Sequence, residues 1–156
     1  MNTKNYTGKL IAIDMYNCYA VTIADMEATE KSLVAGCAQH GMQLCEVVHH
    51  KEDEQQEYTI FAICTQGHIT LHIYPEIGFV TADIFSCYPE ADPAGMARCI
   101  RDHFDADKSK ITLLDRGDFG SENDMKPHHR NKTKLIRRTQ NLGGKLKKLM
   151  LKPRSI

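Results

Sequence analysis

Two imidazoles, a hydroxyl and a thiol fall within 20 residues of one another, at a spacing that groups them in space. His68, Thr70 and His72 alternate with aliphatic residues, so they share one face of a predicted strand. Cys87 ends the next predicted strand, which would pair with the first. Imidazoles and a thiol on one surface can move protons between reacting groups. This stretch is therefore the first candidate for a reactive site.

The same histidines raise the alternative of a metal site, in which His68 and His72 are joined by His49 or His50. Two side chains four residues apart on a straight strand are about 14 Å apart. That separation is too large for both to bind one ion. The histidine pair is weak support for a metal, and we expect none.

A tight turn must connect the two strands, and the residues between them have turn chemistry. Pro75 and Gly78 are both typical of turns. The residues that alternate with the histidines, Ile69, Leu71 and Ile73, would then face a hydrophobic core. The hairpin would thus be apolar on one face and polar on the other.

Further elements are needed to cover the apolar face of this hairpin. The pattern predicts four more strands and two helices, which together give an α+β two-layer sandwich with an antiparallel sheet and both helices on one face. The predicted strands cover residues 8–16, 42–48, 58–64 and 111–114, and the predicted helices cover residues 26–39 and 93–104.

Local signals set the ends of the two helices. Asp25 is the predicted N-cap of the first helix, and Gly41 ends it. Asp92 caps the second, with Pro93 at its first position. The apolar stripe expected on the first helix consists of Met26, Leu33, Val34 and Cys37.

The formal charge of zero hides a strong segregation along the chain. Residues 1–125 contain all 20 acidic residues and nine lysines and arginines, a charge of −11. Residues 126–156 contain the other 11 lysines and arginines and no acid. We therefore divide the chain into one folded domain, residues 1–125, and a basic C-terminal tail, residues 126–156. Disorder, docking onto the acidic domain and contact with another acidic surface all remain open for the tail.

The length and the cysteine content of the chain are typical of globular proteins in a reducing compartment. Its 156 residues suit a single core, and no apolar run is long enough to span a bilayer. The N-terminus lacks signal-peptide features, and the six cysteines are scattered without a C-x-x-C pair. A disulfide framework is therefore not expected, and we expect a cytoplasmic protein.

The hairpin also resembles the core of the short prokaryotic S-adenosylmethionine decarboxylases. In that family, Ser-His-Leu-Thr-Ile-His is followed by Trp-Pro-Glu, a glycine turn and Asp-Leu-Phe-Thr-Cys. The resemblance extends over roughly residues 8–118. The corresponding segments of this chain are Gly67-His68-Ile69-Thr70-Leu71-His72, Tyr74-Pro75-Glu76, Gly78 and Asp83-Ile84-Phe85-Ser86-Cys87.

The resemblance implies a self-processing reaction at Gly67. The family's serine attacks the preceding carbonyl in an N-to-O acyl shift, and β-elimination of the ester then leaves a residue that becomes an N-terminal pyruvoyl group. The pyruvoyl carbonyl accepts electrons during decarboxylation of the substrate. Gly67 has no side-chain oxygen, so the chain is expected to remain uncut and to have no pyruvoyl cofactor.

Other positions of the family's site are retained, and the resemblance implies their roles. His72 corresponds to the histidine that assists self-processing, and Cys87 to the cysteine that acts as general acid. Gln66 replaces the usual Glu before the cut. Thr59 corresponds to a second serine near the processing site and preserves a hydroxyl, and Glu76, Thr59 and His68 are the candidate substrate-binding residues.

One segment departs from the family in a way that bears on the ligand. Family members have aromatic residues near the start of this site, where rings can stack on adenine. Residues 49–57 of this chain contain no aromatic residue and four acids. A loop of this kind suits a cation better than a purine, and a solvated acidic loop is the simpler interpretation.

Two classes of function follow. The first is an unprocessed binding or regulatory homologue in polyamine (spermidine) metabolism, with S-adenosylmethionine or a polyamine as ligand. The resemblance implies dimers, so its partner would be a second copy or an active paralogue. The second class is an active decarboxylase that obtains its carbonyl group by another route. Thr65 and Cys64 are nearby nucleophiles, but they lie away from the position where the family's acyl shift occurs.

Overall fold

The structure is a computed structural model that describes residues 7–52, 54 and 56–117. Within those residues, all strands belong to one sheet, and every neighbouring pair in it is antiparallel. The strands are β1 (Gly8–Tyr16), β2 (Leu44–Lys51), β3 (Tyr58–Cys64), β4 (Gly67–Tyr74), β5 (Phe79–Ser86) and β6 (Lys108–Arg116). The α-helices are α1 (Ala20–Ala24), α2 (Met26–Gln39) and α3 (Pro93–Phe104).

The strand order across the sheet is β2-β3-β4-β5-β1-β6. The predicted hairpin forms β4 and β5, so it occupies the centre of the sheet, and a 3-10 helix Pro75–Ile77 with Gly78 at φ 62° connects the two strands. The predicted α+β architecture with an antiparallel sheet is confirmed.

The two long helices begin where the sequence predicts. The Ala28 amide donates a 2.9 Å hydrogen bond to Asp25 Oδ1 at the start of α2, and the Gly95 amide donates one of 2.9 Å to Asp92 Oδ1 at the start of α3. Each carboxylate satisfies an amide that has no partner within its helix.

One face of the sheet packs against the helices and forms the core. Ile69, Leu71 and Ile73 of β4 are each at most 1% exposed, as the alternation predicts. Residues of β1, β3 and β5 at the same alternate positions are also buried. The opposite face, which we call the open face, carries His68, Thr70 and His72.

Several predicted elements need correction. The second strand is Leu44–Lys51 rather than 42–48, because β2 is an edge strand whose backbone can pair with β3 whatever the polarity of its side chains. The last strand, Lys108–Arg116, is longer than predicted because its flanking charged residues continue the pairing with β1. The short helix α1 was not predicted, so three helices are present in the described residues rather than two.

The expected stripe on α2 is wrong at one position. Val34 is 42% exposed, whereas Thr29 and Gly36 are buried with Leu33 and Cys37. Thr29 can lie on the buried face because its hydroxyl is hydrogen-bonded there to the Asp25 carbonyl and to His103.

Residues 118–156 lie outside the described residues, so the domain boundary at residue 125 and the basic tail stay predictions. Within the described part of the chain, no helix has the length and apolar character needed to cross a membrane. No disulfide joins the six cysteines, all of which are described.

Candidate functional site

Thr59 and His72 form the best-defined polar pair on the open face. The two residues are directly opposite each other in β3 and β4, and Thr59 Oγ1 lies 3.0 Å from His72 Nδ1. Both side chains are half-buried. The hydrogen bond fixes the orientation of the imidazole and leaves Nε2 as the other ring atom that can exchange a proton.

A cavity of about 160 Å³ adjoins this pair at the β2 side of the sheet. His50 Nε2 lies 3.1 Å from Glu52 Oε1 within it. The two carboxylates of this cavity give it a negative charge, which attracts cations rather than anions. The polar side chains that line it are His50, Glu52, Glu57, Thr59, His72 and Tyr74.

His68 belongs to an aromatic group rather than to the Thr59–His72 pair. Its ring lies between those of Phe61 and Phe85, with centroid separations of 5.8 and 5.5 Å. Sequence reasoning missed both phenylalanines as parts of the site. Phe61 lies two residues after Thr59 in β3, and Phe85 lies two residues after Asp83 in β5. Because residues two apart on a strand share a face, this spacing could have placed both rings on the open face.

The Gln66–Gly67 junction lies at the same end of the sheet as this aromatic group. Gln66 has a φ of 57°, in the left-handed region, within the turn between β3 and β4. Its carbonyl oxygen accepts a 2.8 Å hydrogen bond from the Cys87 amide. A non-glycine residue in this conformation is strained, and such strain concentrates at functional sites.

Gly67 is tightly enclosed by the backbone of β5. A Cβ built on Gly67 would overlap the Phe85 carbonyl oxygen and lie 3.1 Å from Ser86 Cα. These are backbone atoms of a paired strand, so they cannot move aside as a flexible side chain could. The position therefore has no room for a larger residue in this arrangement.

Cys87 lies beside the first residue of β1. A Cβ on Gly8 would be 2.7 Å from Cys87 Sγ, so the thiol lies closely against β1 at this glycine. A cavity of about 370 Å³ separates this region from the start of α3. Lys9, Ser86, Cys87, Tyr88 and Asp92 are among its lining residues.

Glu76 stands apart from the other candidates. It is exposed in the 3-10 helix that follows β4, next to the stacked rings of Tyr74 and Phe79, whose centroids are 5.8 Å apart. It does not line the cavity beside His72. Its role at a substrate stays a prediction.

The candidate residues thus form two groups at opposite ends of the sheet. Thr59 and His72 make one group, and the Gln66–Gly67 junction with Cys87 makes the other. Gly67 and His72 are five residues apart along β4, which corresponds to about 17 Å. A single chain does not bring the two groups together.

A second polar cluster lies on the helix side and was not predicted. Thr29 Oγ1 donates to the Asp25 carbonyl (2.9 Å), and Tyr58 OH donates to the Ile23 carbonyl (2.8 Å). His103 Nε2, 3.1 Å from Thr29 Oγ1, must therefore be the donor of that contact. Burial lowers the pKa of His103 and raises that of Tyr58. These partners make the cluster structural, because they tie α2 and α3 to β3.

Burial also disfavours the thiolate form of the cysteines on the helix side. It raises the pKa of Cys18 to about 11 and that of Cys37 to about 12. Cys64, just before the junction, is hydrogen-bonded to Cys37, and burial raises its pKa as well. A thiol with a raised pKa is a poor nucleophile, which disfavours Cys64 as a substitute for a missing serine.

Metal-binding chemistry has no support in the described part of the chain, where no three His, Cys, Asp or Glu side chains are grouped for one ion. His49, one of the alternatives for such a site, instead faces Glu30 of α2, with Nδ1 3.4 Å from Oε2.

Comparisons with known proteins agree with this fold. A family model described as S-adenosylmethionine decarboxylase matches residues 9–117, well over half of the chain. The chain belongs to the S-adenosylmethionine decarboxylase family. The match covers every described strand except the first residue of β1, together with all three helices.

Individual relatives support the same assignment. The S-adenosylmethionine decarboxylase proenzyme of Acetivibrio thermocellus is 27% identical over 115 residues, which is 74% of this chain and 92% of the relative. That of Caldicellulosiruptor saccharolyticus is 29% identical over 112 residues, 72% of this chain and 90% of the relative. These decarboxylase family members are therefore matched over nearly their whole length.

A solved structure shows the same fold. The crystal structure of the adenosylmethionine decarboxylase from Aquifex aeolicus superposes with a TM-score of 0.64 and 18% identity, and it covers 80% of this chain and 97% of the other. At that identity the likeness concerns the fold of the decarboxylase family.

Proposed function

We propose that this chain is an S-adenosylmethionine decarboxylase-like protein of polyamine (spermidine) metabolism that stays uncut and acts as a binding or regulatory homologue. The observation that carries the proposal is Gly67. The resemblance places it where family members have the serine that becomes the pyruvoyl group. Hydrogen replaces the hydroxymethyl group there, so the chain has no nucleophile at the junction.

The backbone around Gly67 supports this proposal independently of the missing oxygen. The residues present do not fit a pyruvoyl group, because the Phe85 carbonyl occupies the space of any Cβ at this position. The hydrogen bond from the Cys87 amide to the Gln66 carbonyl also holds the junction in place within the turn between β3 and β4. We therefore derive no step through a pyruvoyl group in this chain.

The groups around His72 support a ligand-binding role. Glu52 and Glu57 line the cavity that also contains Thr59 and His72. Polyamines and the sulfonium and amino groups of S-adenosylmethionine are cations, which these carboxylates would attract. The rings of Phe61, His68 and Phe85 do not line this cavity, and its carboxylates favour an aliphatic amine over a purine.

The open face supports pairing with a second chain of the same fold. Val48, Phe61, Ile63 and Leu114 lie on this face and are between 37% and 49% exposed. Large exposed apolar side chains grouped on one surface mark contact sites. We propose a homodimer or a heterodimer with an active paralogue, in which the uncut chain modulates its partner.

An active decarboxylase with a carbonyl obtained by another route is the second candidate. The strained φ of Gln66 and the retained Cys87 favour it, because both belong to a site where the backbone is cut in the family. The enclosed Gly67 and the buried Cys64 oppose it.

The mass of the intact chain tests the proposal. We expect a single species of full mass, without carbon dioxide release from S-adenosylmethionine. Two fragments, the larger with a blocked N-terminus, would overturn the proposal. The Gly67→Ser variant shows what else was lost: we expect it to remain uncut, because the Phe85 carbonyl opposes the added side chain, whereas efficient cutting would show that only the nucleophile is missing.

A further inference from the structure

The outer edge of β6 is regular enough to accept another strand. Within the described residues, only β1 pairs with β6, so the backbone groups on its other side have no strand partner there. The nine residues of β6 include no proline and pair with β1 without a register shift. The other edge strand, β2, is interrupted by a bulge between Leu44 and Glu46. A long edge without a bulge or proline is a template for a further strand.

The helix side of β6 is apolar and uncovered. Ile111 and Leu113 lie opposite Ile13 and Ile11 of β1, whose side chains belong to the core, so all four point toward the helix layer. Ile111 is nevertheless 50% exposed and Leu113 55% exposed, whereas the two residues of β1 are at most 3% exposed. The helices therefore cover β1 but leave the aliphatic side chains of β6 uncovered.

A cavity of about 370 Å³ adjoins Leu113 on this side of the sheet. Its wall also includes Ile11 of β1 and Pro93 and Ala94 at the start of α3. A strand added to β6 would place every second side chain on the helix side. An aliphatic side chain at such a position would enter the cavity, and pockets for alternate side chains are what makes strand addition selective.

The other side of β6, on the open face, carries an excess of positive charge. Lys108, Lys110 and Arg116 are exposed and lie an even number of residues apart, so they share this face. Of these three, only Lys110 has an acid opposite it in β1, namely Asp14. An added strand with carboxylates on this face would therefore meet complementary charge at both ends of β6.

The same cations disfavour a second copy of this chain as the added strand. A two-fold axis at Thr112 would pair all nine residues of β6 with those of another β6 in antiparallel orientation. Lys108 of each chain would then lie opposite Arg116 of the other. Like charges directly opposite each other destabilise a strand pair, so the edge fits a strand of different composition.

We infer that the free edge of β6 binds an extended segment of another protein in which aliphatic and acidic residues alternate. The backbone of that segment extends the sheet. Its aliphatic side chains lie against Ile111 and Leu113 and enter the cavity, and its carboxylates lie near Lys108 and Arg116. The inference goes beyond the proposed function, because it does not depend on whether Gly67 can be processed.

The experiment uses a fluorescent peptide of alternating glutamate and valine, as long as β6, and follows its binding to the full chain by fluorescence anisotropy. A second peptide has the same composition but groups its valines and glutamates in two blocks, so it has no separate apolar and acidic faces. A third has two adjacent central amides N-methylated, which blocks backbone pairing on both of its edges and keeps every side chain. We expect the first peptide to bind about tenfold more tightly than either of the others.

Leu113→Ser and Arg116→Glu test the two sides of the edge. Val48→Ser and Lys51→Glu are their matched controls, because these residues are also exposed and belong to β2, the opposite edge strand. We expect Leu113→Ser to weaken binding of the alternating peptide about tenfold and Arg116→Glu to weaken it about fivefold. Both controls should stay within a factor of about two. The comparison of peptides uses the native chain, so it stays decisive even if a variant folds poorly.

Four results would overturn the inference. They are no binding of the alternating peptide, equal binding of the N-methylated peptide, a loss of binding in the β2 variants instead of the β6 variants, and a dimer that Leu113→Ser dissociates. The last of these, seen by analytical ultracentrifugation, would assign the edge to a second copy of the chain. None of the four changes the mass of the intact chain, so the proposed function is judged separately.

Discussion

The amide of Cys87 donates a hydrogen bond of 2.8 Å to the carbonyl oxygen of Gln66, which joins the end of β5 to the turn before β4. In the family that the chain belongs to, the resemblance places the backbone cut directly after this carbonyl. The hydrogen bond, the left-handed Gln66 and the enclosed Gly67 together hold the turn between β3 and β4 against the end of β5.

Gly67→Ala should destabilise the protein, because the new methyl group would displace the Phe85 carbonyl. We expect a loss of about 1–3 kcal/mol in the free energy of unfolding, measured by urea denaturation. Thr65→Ala, an exposed change in the same turn, is the control and should stay within about 0.5 kcal/mol. Equal stability of Gly67→Ala and the native chain would show that β5 yields easily at this point.

Thr59 and His72 should be energetically coupled through their hydrogen bond. A double-mutant cycle with Thr59→Val and His72→Phe is expected to give a coupling free energy of about 0.5–1.5 kcal/mol in urea denaturation. Additive effects of the two substitutions would mean that the contact does not orient the imidazole.

Val48→Glu should weaken pairing through the open face, because it places a charge on the exposed apolar surface of β2. We expect a shift from dimer to monomer in analytical ultracentrifugation. Val34→Glu, at a similarly exposed valine on α2, is the matched control and should leave the dimer unchanged. Loss of the dimer in the control alone would assign the interface to the helices.

Acidic residues of the cavity beside His72 should control amine binding. Glu57→Gln is expected to weaken spermidine binding by up to about fivefold in calorimetry, since one partly exposed charge contributes roughly 1 kcal/mol or less. Glu27→Gln on α2 changes the same charge away from the cavity and should have no effect. If S-adenosylmethionine binds more tightly than spermidine, and Glu57→Gln leaves its affinity unchanged, the ligand binds outside this cavity.

Stability should fall on acidification through His103. Burial lowers the pKa of this side chain in the folded state, and the charge of Asp25 opposes the shift only in part. The unfolded chain therefore binds a proton first, near pH 6.5. The stability from the neutral imidazole is complete above that pH and decreases as the pH falls toward the folded-state pKa. His103→Gln, measured by denaturation at several pH values, should flatten this decrease; an unchanged slope would assign it to other groups.

The sequence by itself determined most of the long elements, the two faces of β4 and the missing side chain at Gly67. The bounds of β1, α2, β3 and α3 followed from alternation and from the caps Asp25 and Asp92, because these signals act over a few neighbouring residues. The absence of an oxygen at Gly67 is likewise a property of one residue. The site residues His72, Cys87, Glu76, Thr59 and His68 stay predictions in their roles.

Only the tertiary structure decided which of these residues meet. The order and register of the strands put Thr59 beside His72, laid the Phe85 carbonyl against Gly67 and left about 17 Å between Gly67 and His72. The helix-side cluster of Thr29, Tyr58 and His103 arose in the same way. Such distances depend on how segments far apart in the chain align across a sheet and pack in the core, and no local pattern of residues encodes that alignment.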